Sequence, residues 1–179
     1  MPSVRSKPDI KRTERDSAGF SLVEILVVVM VILIIAAIAI PNLVQSRMRA
    51  NEASAVASVK TINTAETLFS NNYPDVGYSS NMANLGSNGS SCDKPTSTNA
   101  CIIMDDALTS GVKSGYVFEI VGDGNKPDSG YTVNASPESG LSGRCTVSSS
   151  ETGDIRLSIP GAPTTVGRLS LGGGSGCDL

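Results

Sequence analysis

The sequence contains no histidine and no tryptophan, and it has only three phenylalanines and four tyrosines in 179 residues. Without histidine the chain lacks the most frequent general base of catalysis and the commonest metal ligand. It also has no P-loop and no G-x-S-x-G motif, and its serines have no basic partner at a recognisable spacing. We therefore expect neither catalysis nor a cofactor.

Cysteines are also few, and none of them forms a C-x-x-C pair. Successive cysteines are 9, 44 and 32 residues apart, unlike the paired ligands of zinc ribbons, so we expect no metal. Two disulfides formed in an oxidising compartment fit better, and they would support the small core that so few aromatic residues allow. Three pairings are possible. We expect nearest neighbours to pair, Cys92 with Cys101 and Cys145 with Cys177.

Positive charge is scarce outside the first part of the chain. The net charge is −3, and residues 1–19 hold five basic and three acidic residues. The remaining chain has 9 basic and 14 acidic residues, a balance of −5. Binding to nucleic acid depends on clustered Lys and Arg that neutralise phosphates, so we expect no specific nucleic-acid partner.

The most prominent feature that is present is an apolar stretch over residues 20–40. Residues 25–40 are sixteen consecutive apolar residues, and one carboxylate, Glu24, stands just before them. A helix of 21 residues is about 32 Å long, enough to cross a hydrocarbon core of about 30 Å. The basic residues before it predict that residues 1–16 are a cytoplasmic tail.

Three interpretations of this stretch are open. In the first interpretation the stretch is a cleaved secretory signal, with Ala37-Ile38-Ala39 resembling an A-x-A site, although the apolar run exceeds the usual 7–15 residues. In the second it is a plain signal anchor that stays in the membrane. Neither interpretation gives Glu24 a purpose, and a carboxylate within a membrane-length stretch has a cost that Leu or Val would not have.

The third interpretation comes from the hexapeptide GFSLVE at residues 19–24, followed by the apolar run. It resembles the class III signal of type IV pilins and type II secretion pseudopilins. The resemblance implies that a prepilin peptidase cuts after Gly19 and methylates Phe20. It also implies that Glu24 neutralises the Phe20 amine of an adjoining subunit in a filament, and that Pro41 lies in a curved assembly helix.

The same resemblance implies partners and a location. The partners are other copies of the chain in a helical homopolymer, the prepilin peptidase and N-methyltransferase, and an inner-membrane assembly platform. The precursor would be in the bacterial inner membrane with its headgroup in the periplasm, and the assembled pilus would be extracellular. Within this interpretation a surface pilus competes with a type II secretion pseudopilus, and a membrane-anchored periplasmic binding domain is a third alternative.

The pattern predicts three regions. Residues 1–19 are expected to be a cleaved leader, and residues 20–72 a long helix with a transmembrane and assembly part (20–41) and an amphipathic part (42–72). We expect Pro41 to kink or interrupt this helix. Residues 73–179 are expected to form a globular headgroup with disulfide loops. Strand signals at 116–121, 131–135, 144–147 and 154–159 predict an antiparallel meander and an α+β fold, in which the helix packs on a small sheet as in pilins.

The composition of the loop at residues 123–128 raises the question of a calcium site. Asp123, Asn125 and Asp128 place three oxygen-bearing side chains within six residues, a composition that calcium would suit. The EF-hand pattern is absent, however, and these residues are also common in turns. We expect no metal here.

Overall fold

The computed structural model describes residues 19–159 and residue 177. The expected leader therefore lies almost entirely outside the described residues, as does the last part of the expected headgroup except for Cys177. The described elements are helices α1 to α3 and strands β1 to β5, in the order α1 (Leu22–Asn72), α2 (Met82–Leu85), α3 (Asp106–Thr109), β1 (Val112–Lys113), β2 (Tyr116–Gly122), β3 (Tyr131–Pro137), β4 (Thr146–Ser150) and β5 (Arg156–Ser158).

The chain divides into two units, with the boundary between Ile40 and Pro41. In the first unit the chain is helical from Leu22 onward, and the large apolar side chains of residues 20–40 are all exposed, from 48% at Val29 to 79% at Leu22. This helix is long and apolar enough to cross a membrane.

In the second unit, one face of α1 is buried. Ala55, Val59, Ile62 and Phe69 have at most 1% of their surface exposed. They follow helical spacing, which brings them onto one stripe. This stripe forms the core together with the inner face of the sheet, α2 and α3.

The sheet is an antiparallel meander in the order β1-β2-β3-β4-β5. Side chains in β2 and β3 alternate between buried and less buried positions, and Tyr116, Phe118 and Ile120 of β2 point inward. Their register with Pro137, Ala135 and Val133 of β3 places the inward residues of both strands opposite one another. The predicted α+β fold, a long helix packed on a small antiparallel sheet, is confirmed.

Two local expectations differ from the structure. Helix α1 is not interrupted at Pro41, because the many helical residues on either side outweigh one missing N–H donor, whereas a kink at Pro41 stays a prediction. The sheet has five strands rather than four, because the two-residue strand β1 is too short to leave a pattern. The buried face of α1 also includes Ser58, which is 3% exposed, and Met48, which is 7% exposed.

Candidate processing and assembly site

Gly19 and Phe20 lie just before α1, and Glu24 lies in its first turn. The Ser21 carbonyl accepts hydrogen bonds from the N–H groups of Glu24 (3.0 Å) and Ile25 (3.3 Å). The first turn of a helix carries partial positive charge from its unpaired N–H groups, so a carboxylate is electrostatically favourable there. The structure therefore brings Gly19, Phe20 and Glu24 together within one short region.

The side chains of this region are accessible. Phe20 is 78% exposed, and Glu24 is exposed as well. Within the described part of the chain, no basic side chain forms an ion pair with Glu24. Pro41 lies further along the same helix and takes no part in this cluster.

The four cysteines are in the second unit and form two bonds. Cys92 is joined to Cys101, and Cys145 to Cys177, which is the nearest-neighbour pairing. Cys145 is completely buried, and its carbonyl accepts a hydrogen bond from the Tyr116 hydroxyl at 2.8 Å. Burial, together with the charge of Glu52, raises the pKa of Tyr116 to about 12. The second bond thus ties Cys177 to the core.

Sequence reasoning missed two buried glutamates in α1. Glu52 is 6% exposed, and its Oε1 accepts a hydrogen bond from the Arg144 N–H at 2.7 Å. Glu66 is fully buried, and its Oε2 accepts one from the Ser79 N–H at 2.8 Å. Their spacing carried the signal: positions 52, 55, 59, 62, 66 and 69 form one helical stripe, so both carboxylates fall in line with the core residues.

In the loop between β2 and β3, the Asp123 carboxylate is hydrogen-bonded to other residues of the same loop. Asp123 accepts hydrogen bonds from the Asn125 N–H (3.0 Å), the Ser129 N–H (3.1 Å) and the Ser129 hydroxyl. These bonds, chiefly that from the Ser129 side chain, lower the pKa of Asp123. Among residues 19–159 and 177, no group of three or more Asp, Glu or Cys side chains is arranged to hold a metal ion.

Comparison of the sequence with known proteins matches the region that contains Gly19, Phe20 and Glu24. The family profile described as "Prokaryotic N-terminal methylation motif" matches residues 15–40. The chain is also 37% identical over 60 residues to the type IV major pilin protein PilA of Myxococcus xanthus. It is 36% identical over 75 residues to the type IV wide pilus major component PilA4 of Thermus thermophilus. Over these residues the chain is similar to type IV pilins and carries the methylation motif. The resemblance found in the sequence is thereby confirmed.

These similarities cover only part of each protein. The match to the Myxococcus pilin spans 34% of this chain and 27% of that relative. The match to the Thermus pilin spans 42% of this chain and 56% of that relative. No solved structure matches this chain. The headgroup must therefore be understood from its own contacts.

Proposed function

We propose that this chain is a structural subunit of a type IV pilus-like filament. A prepilin peptidase would cut it after Gly19 and methylate the amine of Phe20, and the chain would then polymerise through its first helix. The observation that supports this most directly is the position of the methylation motif. It ends at residue 40, in the part of helix α1 (residues 22–40) whose large apolar side chains are all exposed. Such a surface requires lipid before assembly and other helices afterwards.

The proposal assigns a role to Glu24. Cutting after Gly19 would create a positive amine at Phe20, next to the first turn that carries Glu24. Inside a bundle of apolar helices an unpaired charge is very unfavourable, and pairing with an opposite charge reduces that cost. Adjacent subunits in a helical filament are displaced along its axis. Glu24 of one subunit would therefore pair with the Phe20 amine of the next and set the register between them.

Cohesion in this filament would come mainly from apolar packing of residues 20–40, with Glu24 selecting one register. The precursor would occupy the inner membrane with its headgroup in the periplasm, and an assembly platform there would receive it. A filament that reaches the cell surface would serve adhesion, motility or DNA uptake. The names of the two relatives, both components of type IV pili, favour this function over a type II secretion pseudopilus.

Mass spectrometry of the N-terminal peptide tests the proposal. It is to be measured separately on filaments sheared from the cell surface and on the membrane fraction. N-methylated Phe20 in the sheared fraction is the expected result. The same peptide confined to membranes would favour the pseudopilus. A chain that begins at Met1 or Ile40 in both fractions would overturn processing after Gly19 and leave a signal anchor or a secretory signal.

A further inference from the structure

The turn at residues 87–90 has an Asn-Gly pair at its tip. Asn88 is the only asparagine in the sequence that is followed by glycine. Asn88 has φ 45° and Gly89 has φ 72°, and the Ser90 N–H donates to the Ser87 carbonyl at 2.7 Å. Positive φ at both central residues is the pattern of a type I′ turn, for which Asn-Gly is a preferred pair. The turn therefore explains why the pair is there, and the same pair is chemically reactive.

The two groups that can react with each other are both unprotected. The backbone nitrogen of a glycine can attack the side-chain carbonyl carbon of a preceding asparagine, because glycine has no Cβ atom to hinder the approach. Asn88 is exposed. Within residues 19–159 and 177, neither its side chain nor the Gly89 N–H takes part in a hydrogen bond. A Cβ atom placed on Gly89 would have no neighbour within 4 Å, so the tip is surrounded by open space.

The ends of this turn are fixed, whereas its tip is not. The Cys101 N–H donates to the Gly86 carbonyl at 3.1 Å, just before the turn, and Cys101 is bonded to Cys92, just after it. Among the described residues, a single backbone hydrogen bond crosses the tip, and it is the one that opposes rotation of the Asn88 backbone. An exposed hydrogen bond of this kind contributes little to stability because water replaces it when it opens.

A second exposed pair, Asp123-Gly124, differs in the surroundings of its side chain. Gly124 also has a positive φ, 79°, and open space around it. The Asp123 carboxylate, however, accepts hydrogen bonds from the Ser129 hydroxyl, from the Ser129 N–H at 3.1 Å and from the Asn125 N–H at 3.0 Å. These bonds, with that of the Ser129 hydroxyl contributing most, lower the pKa of Asp123, and an ionised carboxylate is a poor electrophile. Asp123 is therefore protected by its own loop, and Asn88 is not.

We propose that Asn88 deamidates in the folded headgroup, so that this turn gains a negative charge as the chain ages. The Gly89 nitrogen loses its proton and bonds to the side-chain carbonyl carbon of Asn88, and the side-chain nitrogen takes up a proton and leaves as ammonia. Water then opens the resulting succinimide ring at either carbonyl and gives aspartate or isoaspartate. One amide is replaced by one carboxylate, with no oxidant or reductant. Because the attacking nitrogen must lose a proton, the reaction is faster at higher pH.

The fold can accept either product. Isoaspartate adds one methylene group to the backbone of the turn, and the open space at Gly89 leaves room for it. The ends of the turn stay joined through the Cys92–Cys101 bond and the hydrogen bond to the Gly86 carbonyl. An exposed surface of the headgroup therefore changes from neutral to negative while the headgroup remains folded.

Peptide mapping by mass spectrometry tests this inference on the full chain, incubated in detergent micelles in water labelled with heavy oxygen. Conversion of Asn88 appears as loss of the amide and uptake of one labelled oxygen. Its rate should be within about tenfold of the rate in the same chain reduced and unfolded in guanidinium chloride, because a single exposed hydrogen bond opposes it. A folded chain that converts more slowly than this overturns the proposal.

Asp123 is the matched control in the same sample, because its conversion to isoaspartate also takes up labelled oxygen. Folding should slow that conversion by more than about tenfold, since several hydrogen bonds must break first. Equal slowing of Asn88 and Asp123 by folding overturns the proposal.

Two substitutions separate the reaction from its consequence. In Asn88→Gln the uptake of label at residue 88 should disappear, because the longer side chain would have to close a larger ring, and uptake that persists there overturns the mechanism. Asn88→Asp carries the charge of the product from the start. Its midpoint of chemical denaturation should equal that of the wild type, and a lower midpoint overturns the conclusion that the headgroup stays folded.

Discussion

Helix α1 contains two regions whose hydrophobic side chains differ in exposure to solvent. Residues 20–40 are apolar on every side, and all their large side chains are exposed. Residues 48–69 are apolar along one stripe, and that stripe is buried under the headgroup's own chain. A helix that is apolar all round requires an apolar environment, whereas an amphipathic helix needs only one neighbouring layer. The first region therefore depends on lipid or on other subunits, and the second does not.

The glutamates of the two regions also differ, in whether the headgroup supplies them with a hydrogen-bond donor. Glu52 and Glu66 each accept a backbone N–H from their own headgroup. Among the described residues, Glu24 accepts no such bond from a connecting segment, and Val23 and Ile25, its neighbours in the sequence, are apolar. A carboxylate supplied with donors by its own chain contributes to folding, whereas a carboxylate without a donor among apolar residues is better explained by an external partner.

The largest expected effect comes from replacing Glu24. In Glu24→Gln the side chain keeps its size and loses its charge, so the Phe20 amine of a neighbouring subunit would remain unpaired. We expect the protein to insert and the headgroup to fold, while sheared filaments become undetectable by immunoblot. Glu119→Gln, on the outer face of β2, is the matched control and should assemble normally. Normal filament yield from Glu24→Gln would show that assembly does not depend on the Glu24 charge, whereas a wild-type chain that inserts but yields no filaments would support a membrane-anchored binding domain.

A pair of identical substitutions tests the contrast between the two regions directly. Ile62 is completely buried and Ile32 is 58% exposed. Ile62→Ala should lower the free energy of unfolding of the headgroup by about 2–5 kcal/mol because it leaves a cavity in the core. Ile32→Ala should leave that free energy unchanged. Chemical denaturation in detergent, followed by circular dichroism, measures both. Equal losses would show that residues 20–40 also stabilise the headgroup.

The fold could be predicted because its signals are local and periodic. The unbroken apolar run indicated the first helical region, and alternation at Tyr116, Phe118 and Ile120 indicated a strand. Strand β1 could not be predicted because two residues show no period. The continuity of α1 through Pro41 could not be predicted either, since propensity gives only the local cost of a proline and not the cooperativity of a helix of 51 residues.

The candidate site was predictable to a different degree. Gly19, Phe20 and Glu24 were recognised because a short motif contains all three. Glu66 was missed because a glutamate on a helix is usually exposed, and its burial depends on residues 73–81 crossing above it. Its spacing from Ile62 and Phe69 contained the information. Its Ser79 partner did not follow from any pattern.

Replacing Asp105 tests whether a favourable position at the start of a helix is enough to explain the presence of Glu24. Asp105 caps α3 by accepting the N–H groups of Ala107 and Leu108, and it pairs with Lys113 at 2.7 Å. Asp105→Ala should lower headgroup stability by about 1 kcal/mol. A similarly small effect of Glu24→Gln on filament yield would reduce Glu24 to a helix-capping role.

The contribution of Asp105 to stability should be lost at low pH. This is opposite to the direction expected for Glu66, whose pKa is raised by burial. The hydrogen bond from Lys113 lowers the pKa of Asp105 below 3.8, so its contribution is present above pH 3.8 and is lost as the pH falls through the lower folded value. Denaturation of Asp105→Ala and the wild type at pH 2 and pH 6 checks this. The difference in stability should be smaller at pH 2, and an equal difference at both values would contradict it.

The smallest effect, and the only stabilising one, is expected at Ser58. Its hydroxyl is buried and has no hydrogen-bond partner in the part of the chain that the structure describes. Ser58→Ala removes this unpaired group and introduces a better helix former, so the free energy of unfolding should rise by up to about 1 kcal/mol. Ser46→Ala is the control, because the Ser46 hydroxyl is exposed and donates to the Asn42 carbonyl at 2.9 Å. Denaturation in detergent should show a gain for Ser58→Ala that exceeds any gain for Ser46→Ala. A loss of stability in Ser58→Ala would contradict this and would show that the Ser58 hydroxyl is hydrogen-bonded in the folded headgroup.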